Sequence, residues 1–465
     1  MTKQTKDILN ELIKITRGWA AGENIDFTRA KALRNEAIQL NHIHYLENIP
    51  LYRKMAVEEG CGKDIDIRTI INKLMFAVDI FKSYEQTWLD DGDFGRMTRW
   101  LSGIYHKPID IDVSGLKTID DWITCLSRAG IHVVYSSGTS GTFSFVPRDK
   151  KDWDTSASAN IACLAPLLAR RVPTGIVSGR FMKSANRLMS AARMVAGQNG
   201  LSDYDAAFLG FRQGGMGNQS LISELAPLFS HRYFLYNTRL TGTALRCLRR
   251  GARTLEEHQL LSKFQEEIIG QEENHYIKFI DKIQKSIDNS QKIFIFGAPY
   301  QFKMLCESIA GNNKKLALKK GSLVLFGGGW KSFAGEAISR EALAEMMTNC
   351  LDVPPQMILE GYSMTEINML MLRCECGRFH IPPIIEPVVF DEELNALEGE
   401  DIKGAFGFLD PLAVSYSGFI ISGDYVHMID GECGCGLTGP AITEIGRLPG
   451  SEVKGCGGIM GSIRP

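Results

Sequence analysis

The sequence has no stretch of about twenty uncharged apolar residues, so it offers no membrane span. It also has almost no net charge, with 52 Lys and Arg against 54 Asp and Glu, a formal −2. That balance removes the electrostatic case for nucleic acid or an anionic membrane as partner. It shows no internal repeat and no low-complexity linker, which argues against a solenoid or a loosely tethered array. The first residues (Lys3, Lys6, Asp7, Glu11, Lys14) mix both signs in an amphipathic pattern, unlike a secretory leader. Cysteine is present but odd in number, eleven, which excludes a fully paired secreted framework and fits a reducing, cytoplasmic compartment.

What is there suits a large globular enzyme. At 465 residues the chain is too long for one simple core, and two or three subdomains are expected. Apolar residues make up 44% and charged residues 23%, an ordinary globular balance. Residues 1–130 read as mainly helical, with Ile8, Leu9, Leu12 and Ile13, then Leu74, Val78, Ile80 and Phe81, near helical spacing. From Ile131 short apolar runs alternate with helical patterns. Ile131–Tyr135, Lys292–Phe296, Leu323–Phe326, Met357–Glu360 and Gly418–Ile421 are expected strands. The charged segment to about Asn289 opens on Thr254-Leu-Glu-Glu257, a capping-box pattern. The expectation is an α/β protein whose sheet is covered on both faces, divided at 1–130, 131–320 and 321–465. Ligands of such sheets gather at the loops after the strand ends.

Several such loops carry unusual chemistry. Tyr135 leads into Ser136, Ser137, Gly138, Thr139, Ser140, Gly141 and Thr142, where glycines admit a ligand close to the backbone and hydroxyls can wrap phosphate oxygens. No Gly-Lys-Ser/Thr follows, so this is not a Walker A loop, and alone such a string more often is a solvated turn. Phe326 leads into Gly327, Gly328, Gly329, Trp330 and Lys331, and Gly361 into Tyr362, Ser363, Met364, Thr365 and Glu366. Ser422-Gly423-Asp424 and Ile445-Gly446-Arg447 follow. Five motifs in this order resemble the adenylate-forming superfamily of acyl-CoA synthetases, firefly luciferase and peptide-synthetase adenylation domains. A narrower resemblance rests on Gly-Gly-Gly-Trp-Lys, Met-Thr-Glu and Cys-Glu-Cys-Gly-Arg-Phe-His-Ile-Pro. It is to the acyl-protein synthetases of bacterial bioluminescence, and the phenylacetate–CoA ligases look like more distant relatives. The resemblance covers about residues 130–460.

It implies an adenylate-forming core using ATP and Mg²⁺, with a carboxylic acid as substrate and a thiol or amine as acyl acceptor. By it, residues 136–142 bind phosphate, and Gly327, Gly328, Gly329, Tyr362, Ser363 and Met364 belong to the cofactor site, Ser363 replacing the family's usual glycine. Thr365 would hydrogen-bond a phosphate oxygen, Glu366 would hold Mg²⁺, Asp424 would accept from the ribose hydroxyls, and Arg447 would lie near a domain hinge. Segments 175–240 and 293–305, rich in Phe, Met and Gly, are the expected acyl pocket, though no spacing there encodes a substrate. Ordinary members carry a mobile C-terminal cap with a catalytic lysine, and the eighteen residues after Arg447 leave no place for it. Lys331 is the candidate to replace that charge, with a surface lysine as the alternative. A CoA ligase, an acid–amine ligase and an inactive scaffold subunit are the rival readings. The intact Thr365, Glu366 and Asp424 speak against the last.

The cysteines form a second constellation. Cys374-Glu-Cys376-Gly and Cys433-Gly-Cys435-Gly are two short knuckles with His380 just beyond the first, five candidates for the four places of a structural Zn²⁺. Free thiols are the alternative. Gly434, Gly436 and Gly439 match a dinucleotide fingerprint formally, but without its strand and helix. Cys456 is set among glycines beside Lys454, which would favour its thiolate. The bioluminescence relatives are thought to carry their acyl group on such a cysteine, so Cys456 is a candidate nucleophile, with an unremarkable tail cysteine as the alternative.

Overall fold

The structure, a computed structural model, describes residues 3–137, 142–171, 204–229, 231–330 and 337–448. The chain divides into two compact units, the second inserted into the first. The first comprises Met1–Tyr135, Phe143–Leu167 and Ser363–Glu452, the second Ser136–Thr142, Leu168–Tyr362 and Val453–Pro465.

The first unit opens, as expected, with helices. These are α1 (Lys3–Ala21), α2 (Phe27–Asn48), α3 (Pro50–Glu58), α4 (Ile67–Lys73), α5 (Gln86–Asp90), α6 (Phe94–Ile104) and α7 (Ile119–Arg128). Short polar side chains start them. Asp26, Asp66 and Asp93 each accept from the third following backbone N–H, and Thr118 and Asp121 form a reciprocal capping box on α7. Ile8, Leu9, Leu12 and Ile13 are buried along α1. The second group departs from expectation, because Leu74 ends α4 and Val78–Lys82 is a single 3₁₀ turn. Between them the two-residue strand β1 (Phe76–Ala77) pairs with a later strand, and that pairing overrides the helical spacing. A hairpin, β2 (Ile131–Ser137) and β3 (Phe143–Asp149), and helix α8 (Lys150–Arg171) follow.

The second unit is built on parallel strands β4 (Tyr204–Gln213), β5 (His231–Arg239), β6 (Lys292–Gly297), β7 (Leu323–Gly327) and β8 (Ile358–Tyr362), in the order β5-β4-β6-β7-β8. Their apolar runs are buried throughout, as a sheet covered on both faces requires. The connecting helices are α9 (Gly217–Leu225), α10 (Gly242–Arg250), α11 (Leu255–Phe264), α12 (Glu272–Asp288), α13 (Pro299–Gly311) and α14 (Arg340–Leu351). Thr254 caps α11, but the expected box is only half made. The Glu257 carboxylate turns to Arg250 (2.6 Å) and the Arg253 N–H (2.7 Å), a cation being the stronger partner. A disulfide joins Cys306 of α13 to Cys350 of α14, a pairing the spacing gave no sign of.

The chain then completes the first unit. After β9 (Met371–Leu372), the strands β10 (Phe379–His380), β11 (Glu386–Phe390), β12 (Asp401–Leu409), β13 (Phe419–Ile429) and β14 (Ala441–Arg447) form an antiparallel sheet ordered β10-β14-β13-β12-β11, with β1 added on β13. Helices α2, α3 and α4 pack on it through one core that includes Ile38, Tyr45, Tyr52, Ile70, Val388, Phe390 and Phe419. No described helix is long and apolar enough to cross a membrane.

Candidate active site

In the second unit the motif glycines close consecutive strand ends. Gly327 pairs with Gly361, and a Cβ on Gly327 would lie 2.9 Å from the Gly361 carbonyl oxygen, so only glycine fits. Gly328 follows at φ +78°, and Gly329 leads to Trp330. Tyr362 ends β8. Ser136 and Ser137 end β2, and Thr142 precedes β3. Gly138, Thr139, Ser140, Gly141, Lys331, Cys456 and, of the segment 175–240, residues 175–203 and Ser230 lie outside the described residues.

In the first unit Ser363 is exposed and Met364 half-buried, whereas Thr365 and Glu366 are buried. Their backbone is held by residues that the motif reading missed. Arg148, 3% exposed, donates to the Thr365 carbonyl (2.6 Å), the Tyr416 hydroxyl (3.0 Å) and Asn368 Oδ1 (3.2 Å). Its guanidinium also lies over the rings of Tyr416 and Trp153, at 5.0 and 5.7 Å. Tyr416 in turn donates to the Glu366 carbonyl (3.0 Å). Asp410 takes the Asn368 backbone and side-chain N–H groups at 2.8 and 2.9 Å. Burial pushes the Asp410 carboxyl above its ordinary value, against these hydrogen bonds. The frame thus fixes both carbonyls of the Thr-Glu step. The available signal was a lone Arg in the apolar run Phe143–Val146 and beyond.

Asp424 is not the turn residue its Ser-Gly-Asp setting suggested as the alternative, since β13 runs on to Ile429. It lies opposite Arg447 on β14, and the two side chains are ion-paired at 2.8 Å. A buried carboxylate so paired is fixed in direction.

The cysteine reading converges on one place. Cys374, His380, Cys433 and Cys435 bring their ligand atoms within 4.8 Å of one another. Cys374 and Cys433 sulfurs are 3.7 Å apart, and Cys435 Sγ is 3.3 Å from His380 Nε2. Cys376, the fifth candidate, is exposed. Burial pushes the Cys435 thiol up to about 12. At Cys433 burial acts the same way, but the Cys435 N–H and the neighbouring thiols outweigh it and hold the group below its ordinary value. Thiol and imidazole ligand atoms gathered this closely suit a soft or borderline cation.

Comparison with known proteins agrees with the motifs. The family described as acyl-protein synthetase, LuxE, matches residues 262–463. The long-chain-fatty-acid–luciferin-component ligase of Aliivibrio fischeri is 24% identical over 181 residues, 38% of this chain and 47% of its own length. The match thus spans about half of that curated relative. Among solved structures, 2-hydroxyisobutyryl-CoA ligase with 2-HIB-AMP and CoA gives a TM-score of 0.49 at 14% identity, covering 90% of this chain and 68% of that one. The luciferase-like enzyme of the Zophobas morio mealworm gives 0.35 at 13% identity, over 73% and 60%. From α12 through the Thr365-Glu366 step to the cysteine cluster, within residues 262–463, this chain is therefore similar to the acyl-protein synthetases.

Proposed function

We propose that the protein activates a carboxylic acid with ATP and passes the acyl group to a thiol. A carboxylate oxygen attacks the α-phosphorus, the bond from that phosphorus to the bridging oxygen breaks, and pyrophosphate leaves. A thiolate sulfur then attacks the acyl carbon and AMP leaves with the bonding pair. The observation that carries this reading is the buried Thr365-Glu366 step, both of whose carbonyls are held by the Arg148–Tyr416 frame. Positioning and electrostatics supply most of the catalysis in such a displacement. Thr365 would direct its hydroxyl to a phosphate oxygen. Glu366, a buried carboxylate on rigid backbone, fits a hard cation such as Mg²⁺, which would neutralise phosphoryl charge when bound. Asp424, fixed by Arg447, would accept from the ribose hydroxyls. The glycine-lined strand ends at Gly327 and Gly361 would admit phosphate, with Gly328, Gly329 and Tyr362 beside them. Cys456 or a partner's thiol would take the acyl group, Lys331 would supply a cation, and a structural Zn²⁺ and a cytoplasmic setting complete the reading.

The test is acid-dependent exchange of labelled pyrophosphate into ATP, screened over fatty, aryl and amino acids. Glu366→Gln should keep the unfolding transition and lose at least ~100-fold in exchange, the scale of one preorganised charge. Near-native exchange by this variant rejects the assignment.

A further inference from the structure

Residues 373–379 and 432–438 are built to one plan. Each is a tight hairpin closed by an isolated bridge, Arg373 with Phe379 and Glu432 with Thr438. In each, the first cysteine's N–H binds the carbonyl four residues on, Cys374 to Arg378 at 2.8 Å and Cys433 to Leu437 at 2.9 Å. In each, a glycine N–H returns to the first cysteine's carbonyl, Gly377 at 2.9 Å and Gly436 at 2.7 Å. Those glycines have φ of +79° and +81°, the left-handed region, which explains why Gly follows each Cys-x-Cys.

The two turns face one another with the spacing a metal needs. Tetrahedral zinc with Zn–S of about 2.3 Å and Zn–N of about 2.05 Å has S···S edges of about 3.8 Å and S···N edges of about 3.5 Å. The Cys374–Cys433 and Cys435–His380 separations are 3.7 and 3.3 Å. His380 stands on β10, where register with Ala441 of β14 fixes its backbone. Cys376 is the counterpart of Cys435 in the first hairpin; its exposed thiol neighbours Cys433 but lies outside the set of four whose ligand atoms fall within 4.8 Å of one another.

The cluster is roofed from far away in sequence. Trp19, on α1 and 3% exposed, donates Nε1–H to the Thr438 carbonyl at 2.9 Å. Its ring meets the His380 ring edge-on at 6.4 Å. In the second hairpin the place equivalent to His380 is Gly439, where an added Cβ would come within 3.4 Å of the Phe27 ring. Arg34 of α2 donates to the Pro383 carbonyl at 2.8 Å, just beyond the first hairpin.

We propose that Cys374, His380, Cys433 and Cys435 hold one Zn²⁺, with Cys376 excluded, and that this ion rivets α1 to the two hairpins. It closes a site with four protein ligands and no open position, so its role is structural. The chemistry is independent of adenylation, and its tests need no ATP.

Metal analysis of the purified full chain should find about one zinc per chain, retained in Cys376→Ser and falling below about a tenth in Cys435→Ser and His380→Asn. Cobalt in place of zinc should show the intense charge-transfer bands of thiolate ligation, unchanged in Cys376→Ser. Should the ligand variants fail to fold, the parent decides. A chelator should strip its metal and raise hydrogen exchange in residues 3–21, while the parallel sheet of the second unit keeps its protection. Absence of zinc overturns the proposal, as does loss of metal in Cys376→Ser with retention in His380→Asn. Unchanged protection of α1 after stripping overturns the rivet.

Discussion

Arg148 has left nearly all its hydration behind, and a buried guanidinium is tolerable only where much of that hydration is replaced. Here the fork spans a carbonyl, a hydroxyl and an amide oxygen, and two rings cover its faces. Lysine offers one compact charge and cannot reach all three oxygens at once. Arg148→Met should therefore cost about 3 kcal/mol, the scale of losing charged hydrogen bonds from a buried site, read from denaturant unfolding. Arg148→Lys should recover part of that stability while pyrophosphate exchange keeps a lowered kcat at little-changed KM for ATP. Equal recovery of stability and kcat would reduce Arg148 to a packing residue. Beyond a lone Arg beside an apolar run, none of this was legible in the sequence, because the oxygens that justify the charge lie 217 to 268 positions away.

Among elements, the strands β6, β7 and β8 were readable because a parallel strand buried on both faces is one continuous apolar run. Gly327 and Gly361, which pair where these strands close, were readable as strand ends for the same reason. β13 was readable only to Ile421, since Ser422-Gly423-Asp424 has the composition of a turn, and pairing with β14 carries the strand through it. The two cysteine knuckles were visible as a pattern, but not which four of five side chains converge, because that depends on the register of β10 against β14.

Elements of the first unit are also joined by a chain of titrating groups. His44 of α2 meets His106, just past α6, at 3.0 Å, and His106 meets Asp149 at the end of β3 at 3.0 Å. Tyr105 and Lys107 donate to the same carboxylate. Burial works against ionised Asp149, but these donors prevail and hold it well below the usual carboxylate range. Burial, helped by His106, brings His44 down to about 4 from 6.5. Both folded-state values are depressed, so both contributions are present at neutral pH and are lost in acid. The His44 contribution is complete above about 6.5 and disappears toward about 4. The Tm should therefore fall as pH is lowered from 7 to 4, and His44→Asn should flatten that slope. An unchanged slope in the variant would remove His44 from the account.

At the scale of the whole molecule, the first unit is assembled from three separate stretches of chain. The Tyr45 hydroxyl donates to the Ala413 carbonyl and accepts from the Gly418 N–H, and Asn41 reaches the Pro411 carbonyl at 3.0 Å. The N-terminal helices therefore share a core with strands that come last. A fragment of residues 1–167 should accordingly show helical signal without a cooperative thermal transition, and a sharp two-state transition would contradict this. Synthesis makes the same feature a matter of time. Tyr45 leaves the ribosome 368 residues ahead of Ala413, and at roughly 5–20 residues per second the interval is on the order of 20–75 s. Through that interval the apolar faces of α2 and α3 have no sheet to cover them, while the strands β4 to β8 emerge together and can pair. The parallel strands of the second unit are thus all made before the sheet of the first. The helices made first become the longest-waiting client for a chaperone.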